Sequence, residues 1–311
     1  MWISPPLRLR RKQFSSAYVG AVGGHFASPT IVSSHLPSWL GPSFPVRMID
    51  INAPFHPIAG ELNEYQPDCL SSYGSVLPRL AESQLNGSLN IQPTMVRSAA
   101  EPVIEQGRAL VAQAFGIGVQ NIYGSTEHLI MGLAAPPERA MVLREDSLYF
   151  EFAADHTLVT NMGNTTQPLI RYRMDDVLIP RPNADPDSAF THVEKVPGPV
   201  EHTPVFVNEL GQEDFISPMF LVDMAVRDVR RYQLQLTGTQ SFTMNVEAVA
   251  DLDAGRTHAM IHGVHQWLDA LLLRKRMSNV VYTVDLLEEI PLDPLSHKFK
   301  LVVPVDGHAK T

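Results

Sequence analysis

A helix bracketed by two strands constrains this chain more tightly than any other stretch. Residues 103–115 place apolar side chains at helical spacing, open at Pro102 and close at Gly116. A short β-like run at 95–96 precedes them, and residues 119–123 read as the strand that follows. Strand, helix, strand in this order predicts a parallel α/β unit. Further β-like runs at 17–22 and 46–51 extend the pattern upstream. Between them and the helix, residues 72–85 carry Val76, Leu77, Leu80 and Leu85 at helical spacing and stop at Asn86-Gly87.

Downstream the texture changes. Short strands alternate with turns at 141–143, 147–152, 157–161, 170–173 and 177–179, which predicts a smaller antiparallel sheet or barrel attached to the first. Pro180, Pro182, Asn183 and Pro186 mark an exposed loop, and Pro197-Gly198-Pro199 a stiff joint. Beyond it, strand, helix, two strands, helix and strand predict a compact α+β unit from about residue 200. With 311 residues, 44% of them hydrophobic, the chain suffices for one large core and one smaller one.

Charge and cysteine use narrow the function. A net charge of −9 argues against a broad nucleic-acid footprint, and the one basic run, at 8–12, reads as a solvated arm. Cys69 stands alone, so an internal disulfide or an all-cysteine metal site is excluded. That usage fits a cytoplasmic protein. No apolar stretch reaches the ~18 residues that span a bilayer. The segment around residues 10–22 is too brief and glycine-rich for an export signal, and reads as a strand entering a core.

The sharpest chemical cluster is Tyr123-Gly124-Ser125-Thr126-Glu127, directly after a predicted strand. Ligands bind at strand ends of open α/β sheets. Gly124 allows close backbone approach, the Thr126 hydroxyl suits a phosphate oxygen, and the Glu127 carboxylate suits a cation. An ordinary polar turn could carry the same five residues.

Their company makes them specific. The pentapeptide resembles the Tyr-Gly-x-Thr/Ser-Glu motif of adenylate-forming enzymes. Upstream, Ala99-Ala100-Glu101-Pro102 resembles the Gly-Ala-Glu-Pro segment of that superfamily; downstream, the run from Gln167 to Asp176 resembles Pro-x-Ile-Arg-Tyr-Arg-x-Gly-Asp. Near the C-terminus, Ser296-His297-Lys298-Phe299-Lys300 resembles Ser-Gly-Lys-Phe/Ile-Arg/Lys. Order and spacing are the family's. Residues 67–87 and Tyr232-Gln233-Leu234 are similar to the branch of phenylacetate–CoA ligases, so the resemblance covers nearly the whole chain after about residue 17.

This resemblance implies an α/β, acyl-CoA synthetase-like fold. Residues 1–197 would form an incomplete large domain with a parallel sheet and a small β-barrel, and 198–311 a small α+β lid. It implies an AMP-forming acid–thiol ligase for an aromatic or other carboxylic acid, using ATP, Mg2+ and CoA. Tyr123 would stack on adenine, with Ala99, Ala100, Glu101 and Pro102 edging the same pocket. Gly124, Ser125 and Thr126 would line the AMP phosphate, Glu127 hold Mg2+, and Asp176 take the ribose hydroxyls. Lys298 would close over the forming acyl phosphate, and Gly198 and Glu201 would serve as hinge. Partners are a small carboxylic acid, ATP, and CoA or a carrier-protein thiol, with homodimerisation left open and neither nucleic acid nor membrane expected.

The pattern also breaks. The family's Ser/Thr/Gly-rich loop for the β- and γ-phosphates has no match: Ser15-Ser16 and Val22-Gly23-Gly24-His25 are too sparse. The lid joint reads Gly198-Pro199-Val200-Glu201 in place of Gly-Arg-x-Asp, and Asp175 and His297 replace glycines. An active ligase, a fragment of a longer ligase, and a non-catalytic nucleotide- or acyl-binding homologue all remain open at this point. Two weaker signals carry less. His258, His262 and His265 share a helix face without the carboxylate of an HExxH site, and Arg274-Lys275-Arg276 reads as a helix end whose positive charge suits the macrodipole.

Overall fold

A computed structural model describes residues 14–22, 45–101, 103–136, 140–181, 188–195, 202–222, 224–292 and 299–304. They group into two compact units, one drawn from 1–49 and 59–198, the other from 50–58 and 199–311. The joint at Pro197-Gly198-Pro199 lies outside the described residues, as does Glu201.

The first unit is built on a nine-stranded sheet. Its parallel part comprises β1 (Ser16–Gly20), β3 (Cys69–Tyr73), β4 (Met95–Ala99) and β5 (Val119–Ser125). β2 (Val46–Asp50) lies beside β1 at the edge. Beyond β5 the sheet turns antiparallel through β6 (Leu129–Ala134), β7 (Met141–Leu143), β12 (His192–Lys195) and β11 (Leu178–Pro180). A separate antiparallel sheet holds β8 (Leu148–Phe152), β9 (Thr157–Asn161) and β10 (Tyr172–Met174). Parallel strands need crossovers, which α1 (Phe55–Tyr65), α2 (Leu77–Leu85) and α3 (Glu105–Phe115) supply. α3 ends where the sequence predicts: Gly116 takes a left-handed φ of 71° and its N–H closes on the Ala112 carbonyl.

Two expectations need correction, and two elements have no counterpart in the sequence reading. The helix expected over 72–85 begins only at Leu77, because Ser72 and Tyr73 complete β3. A central parallel strand is buried on both faces, so it shows no alternation to separate it from a helix. β6 escapes the reading, as does α1. The motif at 123–127 does not follow its strand: Tyr123, Gly124 and Ser125 are the last three residues of β5.

In the second unit β13 (Val205–Val207) and β14 (Glu213–Phe215) form a hairpin and α4 (Pro218–Leu221) follows. β15 (Val229–Gly238) and β16 (Ser241–Ala248) pair antiparallel at the centre of a four-stranded sheet. β17 (Val281–Leu287) and β18 (Val302–Val303) flank them in parallel. α5 (Ala254–Arg274) buries Met260, Val264, Leu268, Leu271 and Leu272 in one core with Leu234, Phe242, Met244 and Val246. The spacing of those five is one helical face, and each side chain so buried contributes about 1.5–3 kcal/mol. Asp253 caps α5, its carboxylate accepting from the Arg256 N–H at 2.8 Å. Asp253→Ala should lower stability by about 1 kcal/mol in urea denaturation, while Asp253→Ser stays near wild type. No helix among the described residues is long and apolar enough to cross a membrane.

Candidate nucleotide site at the end of strand β5

β5 and β6 form a hairpin in which Ser125 pairs with Leu129, leaving Thr126, Glu127 and His128 as its loop. The register slips at Tyr123–Gly124, and a Cβ on Gly124 would collide with the Leu129 carbonyl oxygen. Glycine is therefore required by the close return of β6 rather than by an unusual dihedral. The loop is held from within by the His128 N–H donating to Ser125 Oγ at 3.2 Å. Thr126 and Glu127 stand exposed on it.

Two hydrogen bonds tie this loop to the segment 172–176. The Tyr123 hydroxyl donates to Asp176 Oδ2 at 2.8 Å, and the Tyr172 hydroxyl donates to Glu127 Oε1 at 3.0 Å. The bonds cross from the large sheet to the end of β10, and the core under them explains why. Tyr123, Met131 and Leu143 of the large sheet pack with Phe150 and Val159 of the small one. Asp176 is also fixed through its main chain, since Thr157 Oγ1 donates to its carbonyl at 2.8 Å. The neighbouring Asp175 differs: its side chain is 91% exposed and pairs with Arg173 at 3.3 Å.

Electrostatics follow from these contacts. Burial, and then the Asp176 carboxylate, raises the Tyr123 phenol well above its ordinary value, so it stays protonated and donates. Glu127 is held below the usual carboxylate range, first by its own backbone N–H, with the Tyr172 and Ser125 hydroxyls adding to it. Burial lowers the His128 imidazole. That ring is 4% exposed, lies edge-on to Tyr172 with centroids 5.6 Å apart, and neither ring nitrogen has a protein partner.

The remaining expected residues divide cleanly. Ala99 ends β4 beside β5, Ala100 adopts a φ of 67°, and Glu101 accepts the Ser75 N–H at 2.9 Å. Ser98 Oγ donates to the Glu101 carbonyl at 2.8 Å, so this turn is fixed on the same edge of the parallel sheet as Tyr123. Pro102, Gly198, Glu201 and Lys298 lie outside the described residues. Tyr123 is only 6% exposed, so its ring offers little open face. Tyr172, Thr157 and His128 have no role assigned by the motifs. Tyr172 lies inside a quoted motif and was open to notice; the other two act through contacts that spacing does not reveal.

A single carboxylate on the loop suits Mg2+, which keeps most of its waters and takes one or two protein carboxylates beside substrate phosphates. Among the described residues no group of three or more His, Cys, Asp or Glu gathers as a dedicated metal cage. Glu127 therefore fits the metal's usual protein share. The His258, His262 and His265 face forms no such group, and His265 places Nδ1 3.1 Å from the Tyr282 hydroxyl.

Comparison with known proteins gives the fold. The structure is similar to 2-hydroxyisobutyryl-CoA ligase in complex with 2-HIB-AMP and CoA in the thioesterification state. The TM-score is 0.55 at 14% identity, covering 94% of this chain and 65% of that one. The same ligase in the postadenylation state with R3-HIB-AMP gives a TM-score of 0.51 at 13% identity, covering 94% and 66%. The chain thus has the α/β fold of an adenylate-forming ligase, over about two thirds of that protein's length. In sequence it is 28% identical to protein CapK of Staphylococcus aureus over 123 residues, which is 37% of this chain and 27% of CapK. No family model matches the chain.

Proposed function

We propose that this protein binds AMP and ATP at the end of β5 and activates a carboxylic acid as its acyl-adenylate, in the manner of phenylacetate–CoA ligases. The acyl group then passes to a thiol, CoA first among candidates. One observation carries the reading: the Tyr123–Asp176 and Tyr172–Glu127 bonds, between residues 53 and 45 positions apart, join two motifs into one loop-and-strand site. Asp176 accepts from the ribose hydroxyls, a role for which a carboxylate's acceptor sites suit it. The Thr126 hydroxyl meets the α-phosphate, and Glu127 holds Mg2+. The ion, when bound, neutralises charge developing on the phosphate. Ala99, Ala100 and Glu101, with Pro102, edge the adenine. Lys298 supplies positive charge from the C-terminal segment, and Gly198 with Glu201 lets that segment move.

The test is direct. The full chain is incubated with ATP, Mg2+, CoA and a panel of aryl, hydroxy and short aliphatic acids, and AMP and acyl-CoA are measured by mass spectrometry. AMP release that depends on one acid, together with its thioester, is the expected result. AMP binding without turnover on any acid would leave a nucleotide-binding protein in place of a ligase. Substituting a carrier-protein thiol for CoA separates the two acceptors.

A further inference from the structure

In the ligase reading Tyr123 and Asp176 each meet the nucleotide separately, Tyr123 at adenine and Asp176 at ribose. The structure binds them to each other. The Tyr123 phenol is buried apart from 6% of its surface, and a buried hydroxyl must find a partner. It takes Asp176 Oδ2 at 2.8 Å, and Thr157, itself 1% exposed, takes the Asp176 carbonyl at 2.8 Å. Thr157 begins β9 opposite Met174, two residues before Asp176, so the small sheet fixes the main chain while the large sheet fixes the carboxylate. Asp175, one residue earlier, has neither restraint and turns to solvent.

Resting on that reading, we propose that the Tyr123 hydroxyl and Thr157 are positioning residues that set the Asp176 carboxylate to receive a vicinal diol, making the site selective for ribonucleotides. The physical argument is pre-organisation. A carboxylate on two free torsions must lose that freedom when it binds a diol, whereas one already oriented loses little. A carboxylate offers about four acceptor sites, so it can accept from a phenol and from a diol at once. The remaining capacity is aimed by that bond. A single substitution isolates the hydroxyl: phenylalanine keeps the buried ring and removes the bond to Asp176.

The test is a cycle between protein and ligand, read by calorimetry on the full chain with AMP and 2′,3′-dideoxy-AMP. Wild type should prefer AMP by tenfold or more. Tyr123→Phe should weaken AMP about tenfold and leave dideoxy-AMP within about twofold, so that the preference collapses, as expected of two coupled groups. Equal weakening of both ligands would make the bond a matter of stability alone and overturn the proposal. Should Tyr123→Phe not fold, Thr157→Val reads the same carboxylate from its main-chain side and must lower the AMP preference in the same direction. An unchanged preference there overturns the proposal equally. Failure of wild type to bind AMP at all removes the ligase reading and this inference together, whereas AMP binding with an additive cycle removes only the inference.

Discussion

Replacing Lys275 by methionine is expected to destabilise the second unit by about 3–5 kcal/mol, the largest effect on stability of any single change proposed for this chain. Lys275 and Asp214 have side chains 2% and 1% exposed, with Nζ and Oδ1 2.8 Å apart. The ammonium also donates to the carbonyls of Ile51 at 3.2 Å and Ala53 at 3.0 Å. Asp214 in turn accepts the N–H of Phe55 at 2.9 Å and of Phe215 at 2.7 Å. This network attaches residues 51–55 to a unit that otherwise begins more than 140 positions later. Burial pushes the Lys275 ammonium down, and Asp214 opposes the shift. Methionine fills the volume but leaves a buried carboxylate uncompensated and two carbonyls without donors. The double variant Lys275→Met, Asp214→Asn removes the stranded charge and keeps an acceptor for one N–H, so it should recover part of the loss. Trp267 lies in this unit and serves as the fluorescence probe in urea denaturation. A loss below about 1 kcal/mol would mean that water reaches the pair and screens it, as at a surface ion pair.

Lys275 also shows where the sequence stops speaking. Arg274-Lys275-Arg276 reads as the basic end of a helix, and Arg274 is about half exposed. What buries Lys275 is Asp214 and a loop some 220 residues away, neither of which local pattern can reveal. The same limit governs the fold. β9 falls where the alternating run at 157–161 puts it, and α3 stops at Gly116, because strand alternation and a C′ glycine are local signals. β3 merges with α2 in the sequence because a strand covered on both faces has no period to read, and Gly132 inside β6 weakens that strand's signature. For the site, residue types and their order pointed to nucleotide chemistry. The junction of Tyr123 with Asp176 was not legible, since it depends on the core that presses the small sheet against the large one.

Glu127→Gln is expected to lower acyl-adenylate formation by about a hundredfold to a thousandfold, the loss typical of removing one group aimed at developing transition-state charge. The substitution is close to isosteric, and its amide oxygen still accepts from Tyr172, so the loop should keep its shape. Only the charge goes. Glu127 stands exposed on the loop, yet its carboxylate is held ionised by its own backbone N–H and by the Tyr172 and Ser125 hydroxyls. Those donors lower the proton affinity of a group whose proposed task is to face a cation, which is the direction that task requires. AMP affinity in metal-free buffer should change by no more than about threefold, because no transition-state charge is involved in ground-state binding. Tyr172→Phe removes one of the donors and leaves the carboxylate, so its effect should be smaller, roughly tenfold or less. A Glu127→Gln variant that loses AMP binding and turnover in parallel would make Glu127 a brace for the loop, and the metal would have to be held elsewhere.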